Sequence, residues 1–441
     1  MKKQPMVERS LNIADKGSVT IIMGARWGDE GKGKLAHRFG LEASIGTRYG
    51  GGGNSGHTVY PFTGVDIKVA LNHMPGCAVS KNGVPVLARG MVIDPRALIE
   101  KEISKLRELG FLQDPCLPLI DHLAHVVMPW HFKMDDPTGK IGSTKKGIGP
   151  AYTDKVARRG IRINDLLHAG TLQTKAQEAL EFHNVYFRHL GLPEMDANQI
   201  TDEYLAIGEI VRPHILDAGE YLLNALESGH NIIGEGHQGI EIGVESIEYP
   251  YVTSSDTSSG AFCVGTGVPM GFVKQTIGII KAYDTSVGVR PGFLAKQDNS
   301  IGEKLRQCGG EFGATTGRPR DCGWLDVASL AQAIRRNGIT GIAMNKLDVL
   351  TGFPTICLCV GYEDADGKQY DTLPIDFDER SKLKPRYLEL PGWNKDIRGI
   401  QKLNKLPKNA RHFVFHVQRL IGAPIIGVGT GPHPEDMIWI E

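Results

Sequence analysis

The strongest constraint on this chain is a glycine-rich loop that directly follows an apolar β run. Val19-Thr20-Ile21-Ile22-Met23 leads into Gly24-Ala25-Arg26-Trp27-Gly28-Asp29-Glu30-Gly31-Lys32-Gly33-Lys34-Leu35. A strand that ends in glycines and reopens as a helix builds a cradle of backbone N–H groups for anionic oxygens. Gly28 to Lys34 fits the G-x-x-x-x-G-K spacing of a phosphate loop, but Leu35 stands where such loops carry Ser or Thr. The hydroxyl that normally binds Mg²⁺ is therefore missing, and Asp29 inside the loop is the obvious replacement for a hard cation. These residues predict a P-loop-like nucleotide site.

The rest of the chain repeats the strand–loop–helix theme. Asp94-Pro95 followed by Ile99, Ile103 and Leu106, and closed by Gly110, predicts a capped amphipathic helix. A second helix is expected at 325–336, stopped by Asn337-Gly338 and feeding an apolar strand at Ile342-Ala343-Met344. A third spans 408–421, then a strand at 424–428 and a turn at Gly429-Thr430-Gly431-Pro432. Such units from end to end imply an α/β fold with a large, mostly parallel central sheet flanked by helices. No linker or repeat divides the chain, so residues 17–441 read as a single domain behind an N-terminal extension, residues 1–16.

Composition excludes several function classes. Fifty Lys+Arg balance fifty Asp+Glu, so no electrostatic footprint for nucleic acid or a membrane surface exists. No apolar run approaches the ~20 residues of a membrane span, and the N-terminus lacks the apolar core of a signal peptide. Seven cysteines without a CxxC pair fit reduced thiols, and the expected location is the cytoplasm. The 55 glycines exceed the usual ~7% of residues, and many cluster beside charges, as phosphate-binding backbones require.

Three further loops carry chemistry. Asn345-Lys346-Leu347-Asp348 matches N-K-x-D at a strand end, where a carboxylate can accept from guanine N1–H and its 2-amino group. Alone it reads equally as a solvated loop, but beside a phosphate loop it favours GTP over ATP. Gly50–Gly53 followed by Asn54-Ser55-Gly56-His57-Thr58 places a histidine where it can stabilise charge on a phosphoryl oxygen. Gly313-Ala314-Thr315-Thr316-Gly317-Arg318-Pro319-Arg320 offers two guanidinium forks and two hydroxyls, which suit a small dicarboxylate; a basic surface turn is the bland alternative.

These segments, in this order, resemble the adenylosuccinate synthetase family. The resemblance is carried by WGDEGKGK at 27–34, GGNSGHTV at 52–59, GIGPAYTDKVARRG at 147–160, EGHQG at 235–239 and YPYVTSS at 249–255. It continues through GGEFGATTGRPR at 309–320, GWLD at 323–326, KLDVL at 346–350, LPGW at 390–393 and TGP at 430–432. It implies a homodimeric ligase that transfers the γ-phosphoryl group of GTP to O6 of IMP and then displaces phosphate with L-aspartate.

The resemblance also implies roles. Asp29 is the base and, with the carbonyl of Gly56, holds one Mg²⁺ per subunit; His57 donates to the transferring phosphoryl group. GTP falls to Gly28–Lys34, Gly56, His57, Thr58, Arg320, Lys346, Leu347, Asp348, Gly429, Thr430 and Gly431. IMP falls to Asp29, Glu30, Gly31, Lys32, Asn54, Ser55, Gly56, His57, Thr144, Gln238, Thr253 and Arg318, with Arg158 reaching across from the neighbouring subunit. Aspartate falls to Ala314, Thr315, Thr316, Gly317, Arg318 and Arg320. The chain departs from the family pattern at Arg26, Lys145, Lys146, Ser286, Asp321 and Gly429, which bears on substrate preference rather than on the reaction itself. A ligase for another 6-oxopurine nucleotide such as dGMP, and a GTP-hydrolysing switch, are the alternatives. Relatives using dGMP tend to lose the carboxylate at the position of Asp29, and it is present here.

Overall fold

A computed structural model describes residues 17–40, 43–62, 67–135, 143–313 and 317–440. The proposed extension, residues 1–16, lies outside them. A ten-stranded sheet forms the centre, with the order Met437–Trp439, Ile425–Gly429, Gly341–Asn345, Val273–Lys281, Val19–Gly24, Ile232–Glu235, Ile45–Arg48, Val84–Leu87, Leu119–Asp121 and Ile215–Leu216. Every pairing is parallel except the edge pair Ile425–Gly429 with Met437–Trp439. The α/β expectation is met.

Parallel strands covered by helices on both faces are apolar along their length, and all six residues of Val19–Gly24 are buried. The helix Lys408–Ile421 shows how the cover forms. Ala410, Phe413, Val414, Val417 and Ile421 recur at helical spacing, are buried, and pack on the core that holds Ile342, Met344 and Ile425. Phe413, Val414, Val417 and Ile421 each contribute ~1.5–3 kcal/mol by leaving water. Gly422 ends the helix with φ 68°, a left-handed cap that glycine adopts without a Cβ clash.

Two expected elements differ in detail. The 325–336 helix starts at Val327, because Leu325–Asp326 pairs as a strand with Leu358 and Cys359, and Asp326 caps Ser329 N. The helix after Asp94 is capped as predicted, with Asp94 Oδ1 accepting from Arg96 N and Ala97 N. Its middle turn, Leu98–Ile103, is π-helical, and it ends at Glu108. The buried Glu102 lies in this wide turn and accepts from the N–H groups of Asn72, His73 and Met74 and from His73 Nδ1. Satisfying those donors accounts for a distortion that periodicity alone does not reveal.

Because the strands are parallel, their carboxyl ends share one edge. Arg48, Glu235, Lys281 and Asn345 are each the last residue of a strand, and the loop after Gly24 opens beside them. Ligands of open α/β sheets bind at this edge.

Candidate active site at the carboxyl edge of the sheet

The phosphate loop is held from within. Glu30 is buried, and its carboxylate accepts from Arg26 N at 3.2 Å, Gly28 N at 2.7 Å and Lys32 Nζ at 2.8 Å. Lys32 also donates to the carbonyl of Gln238, so its ammonium turns inward. Gly28 and Gly31 have φ of 90° and 85°, and a Cβ on Gly31 would sit 2.9 Å from Asn345 Nδ2. That amide donates to Glu30 O at 2.8 Å, which ties the loop to the N-K-L-D segment. Lys34 ties it to the C-terminal turn, donating to Gly431 O and Asp436 O at 2.9 Å each. Burial lowers the Lys34 pKa to about 8, against the pull of Asp436 and Asp348.

Asp29 sits in the left-handed region at φ 61° and remains half-exposed. Its Oδ2 pairs with Arg320 Nε at 2.9 Å. A Cβ on Gly33 would lie 2.6 Å from Thr58 O and 3.1 Å from His57 Cβ, so the loop helix packs directly on the His57–Val59 strand.

His57 is oriented by Glu235, which contacts Nδ1. Nδ1–H donating to a carboxylate leaves Nε2 as the outward nitrogen. Glu235 is fixed in turn by Gly76 N at 2.7 Å and by the fully buried Arg48, whose Nη1 lies 3.7 Å away. Burial works to raise Glu235, but His57 and Arg48 hold its carboxyl below the ordinary range. Arg48 also grips the asparagine–glycine segment, donating to Ser55 O at 3.2 Å and Ser55 Oγ at 2.5 Å. Glu235 and Arg48 lie outside the set of residues to which the sequence assigns a role. The available signal was a charged residue closing an apolar strand at the ligand edge.

Buried polar atoms normally have partners, and some of the described atoms that lack one belong to the expected ligand set. Asn54 Oδ1, Gln238 Oε1 and Asp348 Oδ1 are buried without a hydrogen-bond partner, and all three belong to the expected ligand set. Gln238 has φ 42° and Lys346 has φ 60°, both strained for residues with a Cβ. Burial raises the Asp348 carboxyl, with Lys34 and Lys346 acting the other way. Leu347 is fully buried. Thr430 is also fully buried, its hydroxyl donating to Ile400 O, and Gly429 packs against Asn345.

The outer part of the site is sparser. Gly56 and Thr58 are exposed, Thr144 is exposed, and Thr253 is half-buried with its N–H on Ile242 O. Gly317 and Arg318 are exposed; Ala314, Thr315 and Thr316 lie outside the described residues. Arg158 is exposed at φ 64°, just after the helix Ile148–Val156. That helix is pinned by buried Asp154, which accepts from His131 Nε2 at 3.1 Å, His183 Nε2 at 2.7 Å, Trp130 Nε1 at 3.3 Å and Arg159 Nη2 at 3.1 Å. His131 Nδ1 accepts from Met128 N, so its Nε2 carries the proton toward Asp154 and the cluster anchors the helix. It ties Arg159 down and leaves Arg158 pointing out.

Three of the departures, Arg26, Ser286 and Asp321, meet at the paired strands Asp284–Ser286 and Asp321–Gly323. Arg26 is buried between Asp284, at 3.0 and 2.8 Å, Glu241 at 3.3 Å and Ser329 at 2.7 Å. Ser286 is paired across strands with Asp321, which binds Lys296 at 3.2 Å. Lys145 and Lys146 flank the exposed Thr144 stretch.

Comparison with known proteins places the chain in a family. The adenylosuccinate synthetase family model matches residues 21–438. Adenylosuccinate synthetases of Geotalea daltonii and Brevibacillus brevis are 41% and 40% identical, each over 96% of this chain and 98% and 99% of their own. The fully ligated adenylosuccinate synthetase of Plasmodium falciparum superposes with a TM-score of 0.88 at 31% identity, covering 96% of this chain and all of that one. A cyanophage S-2L succinoaminodeoxyadenylate synthetase bound to dGMP and dATP shares the fold at a TM-score of 0.59 and 17% identity. The chain belongs to the adenylosuccinate synthetase family.

Proposed function

We propose that this chain ligates L-aspartate to IMP with GTP, and that the residues divide the work as follows. Asp29 takes the N1 proton of IMP, so that O6 attacks the γ-phosphorus of GTP and GDP leaves. The product is 6-phosphoryl-IMP. The amine of aspartate then adds at C6, phosphate leaves, and adenylosuccinate remains. His57, oriented by Glu235, meets the charge that develops on the transferring phosphoryl group. The loop amides of Gly28–Lys34 and Arg320 take the GTP phosphates, and Asp348 takes the guanine.

Asn54, Thr144, Gln238, Thr253 and Arg318 face IMP in this reading, and Arg318 and Arg320 grip the two carboxylates of aspartate. The carboxylate of Asp29 and the exposed carbonyl of Gly56 are hard oxygen donors, as Mg²⁺ requires. Such an ion, one per subunit, would neutralise charge on the phosphate oxygens. Arg158 completes the IMP site of a second copy, which makes the working unit a homodimer. No described helix is long and apolar enough to cross a membrane. With seven unpaired cysteines the proposed location is the cytoplasm.

The observation that carries this reading is that three residues of the expected ligand set, Asn54, Gln238 and Asp348, have buried acceptors without a partner. Retention of Asp29 favours IMP over dGMP. IMP labelled with ¹⁸O at O6 provides the test: the label should appear in the released phosphate. Label retained in the purine, or phosphate labelled from water alone, would mean hydrolysis of GTP without the phosphorylated intermediate.

A further inference from the structure

Glu311 is fully buried two residues before Gly313 in the expected aspartate loop, and no step above uses it. Its carboxylate receives Lys281 Nζ at 3.0 and 2.9 Å, Tyr283 OH at 2.6 Å, Lys346 Nζ at 2.6 Å and Arg320 Nη1 at 2.7 Å. Burial alone would raise such a carboxyl, yet Lys281 and Lys346 hold it well below the ordinary range. The donors arrive from three functional segments. Lys281 closes a sheet strand beside the phosphate loop, Lys346 belongs to N-K-L-D, and Arg320 ends the aspartate loop.

Two of these donors govern groups that face ligands. Lys346 holds a left-handed backbone at φ 60° through Glu311 and through Gly309 O at 2.7 Å, and Asp348 follows two residues later. Arg320 bridges Glu311 to Asp29 Oδ2 at 2.9 Å, and its N–H donates to the Glu311 carbonyl. Three cations therefore converge on Glu311, and its removal leaves Lys281, Lys346 and Arg320 with the pull of Asp29 and Asp348 alone among the described contacts of this cluster. Breaking a buried charge pair from one side is costly because the orphaned charge must move or repel its neighbours.

We propose that Glu311 is a positioning residue that couples the guanine end of the site to the aspartate loop. One carboxylate fixes the Lys346–Asp348 turn and Arg320, and through Arg320 the orientation of Asp29. The inference rests on the ligase reading. Coupling of this kind is reciprocal: whatever aspartate does to nucleotide affinity, the nucleotide does to aspartate affinity.

The test uses the full chain and its Glu311→Gln variant. Steady-state constants are measured for GTP, aspartate and IMP, and the Kd of a β,γ-imido GTP analogue is measured with and without IMP plus aspartate. In the variant, KM for GTP and for aspartate should each rise at least about tenfold, roughly 1.4 kcal/mol each, while KM for IMP moves less than about threefold. The tightening of the analogue by IMP plus aspartate, present in the unmodified chain, should shrink to near unity. A variant with a lower Tm and lower kcat but unchanged KM values and unchanged coupling would make Glu311 merely structural and overturn the proposal. An unmodified chain that ligates without coupling would overturn it too. An unmodified chain without ligation would instead remove the reading on which it rests. If Glu311→Gln fails to fold, the same constants are read on Glu311→Asp, which keeps the charge but shortens its reach; GTP and aspartate constants must again rise together, and IMP must not.

Discussion

The inner and outer parts of the site are built differently. Around the phosphate loop and N-K-L-D, groups of the same chain hold several side chains: loop amides hold Glu30, Glu235 holds His57, and Glu311 holds Arg320 and Lys346. Around the expected IMP phosphate and aspartate, Thr144, Arg158, Gly317 and Arg318 stand exposed. Preorganised donors lower a barrier because nothing has to be reoriented as charge develops. An exposed arginine on a strained turn does little for its own chain, and it suits a contact completed by substrate or by a second copy. Within the inner region, Asp29 and His57 should thus fail in kcat when altered, and the outer region should fail in KM.

The largest effect is expected at the inner pair. Asp29→Asn and His57→Ala should each lower kcat at least ~10²-fold, the usual worth of a positioned acid, base or oxyanion donor. Far-UV circular dichroism should be unchanged. A loss below about tenfold in either variant would remove that residue from the chemistry.

Next comes the outer region. Arg158→Leu should raise KM for IMP ~30-fold or more, in line with the ~2–5 kcal/mol lost on truncating a buried charge contact, with far smaller changes for GTP and aspartate. Mixing it with Asp29→Asn should restore activity, because one site of the mixed dimer then has both intact residues. No recovery after demonstrated subunit exchange would confine Arg158 to its own chain and erase the contrast.

A smaller effect belongs to the base. Asp348→Asn removes the double acceptor and should weaken GTP about tenfold, the worth of a charged hydrogen bond, while ATP improves relative to it. Equal use of ATP and GTP by the unmodified chain would contradict the guanine assignment.

The smallest is a pH effect. Lys34 has its pKa lowered to about 8, so above that pH it loses the charge that draws it to the C-terminal turn. KM for GTP should rise a fewfold between pH 7 and 9, and Lys34→Met should flatten that rise. The stability sign is opposite: the unfolded lysine titrates near 10.5, so the unfolded chain binds more protons between about 8 and 10.5, and folding stability gains from Lys34 as pH rises through that window.

The contrast also shows what a sequence can reveal. The phosphate loop, the capped helices and Asp348 were legible because local spacing determines them. Glu235, Arg48 and Glu311 were not, since each acts on residues far along the chain: Glu235 meets His57, and Glu311 meets Lys346. The π-helical turn at Leu98–Ile103 likewise follows from the non-local needs of Glu102. Sequence pattern marks the loops of the candidate site better than it marks the groups that hold them.

The most direct measurement is of product. The purified chain is incubated with L-aspartate, Mg²⁺, GTP or ATP, and IMP or dGMP, and the purine is identified by mass spectrometry. Adenylosuccinate should form with GTP and IMP, with GDP and phosphate in equal amount, and far more slowly in the other combinations. Preferential use of dGMP, or GDP released without any aspartate adduct, would contradict the account.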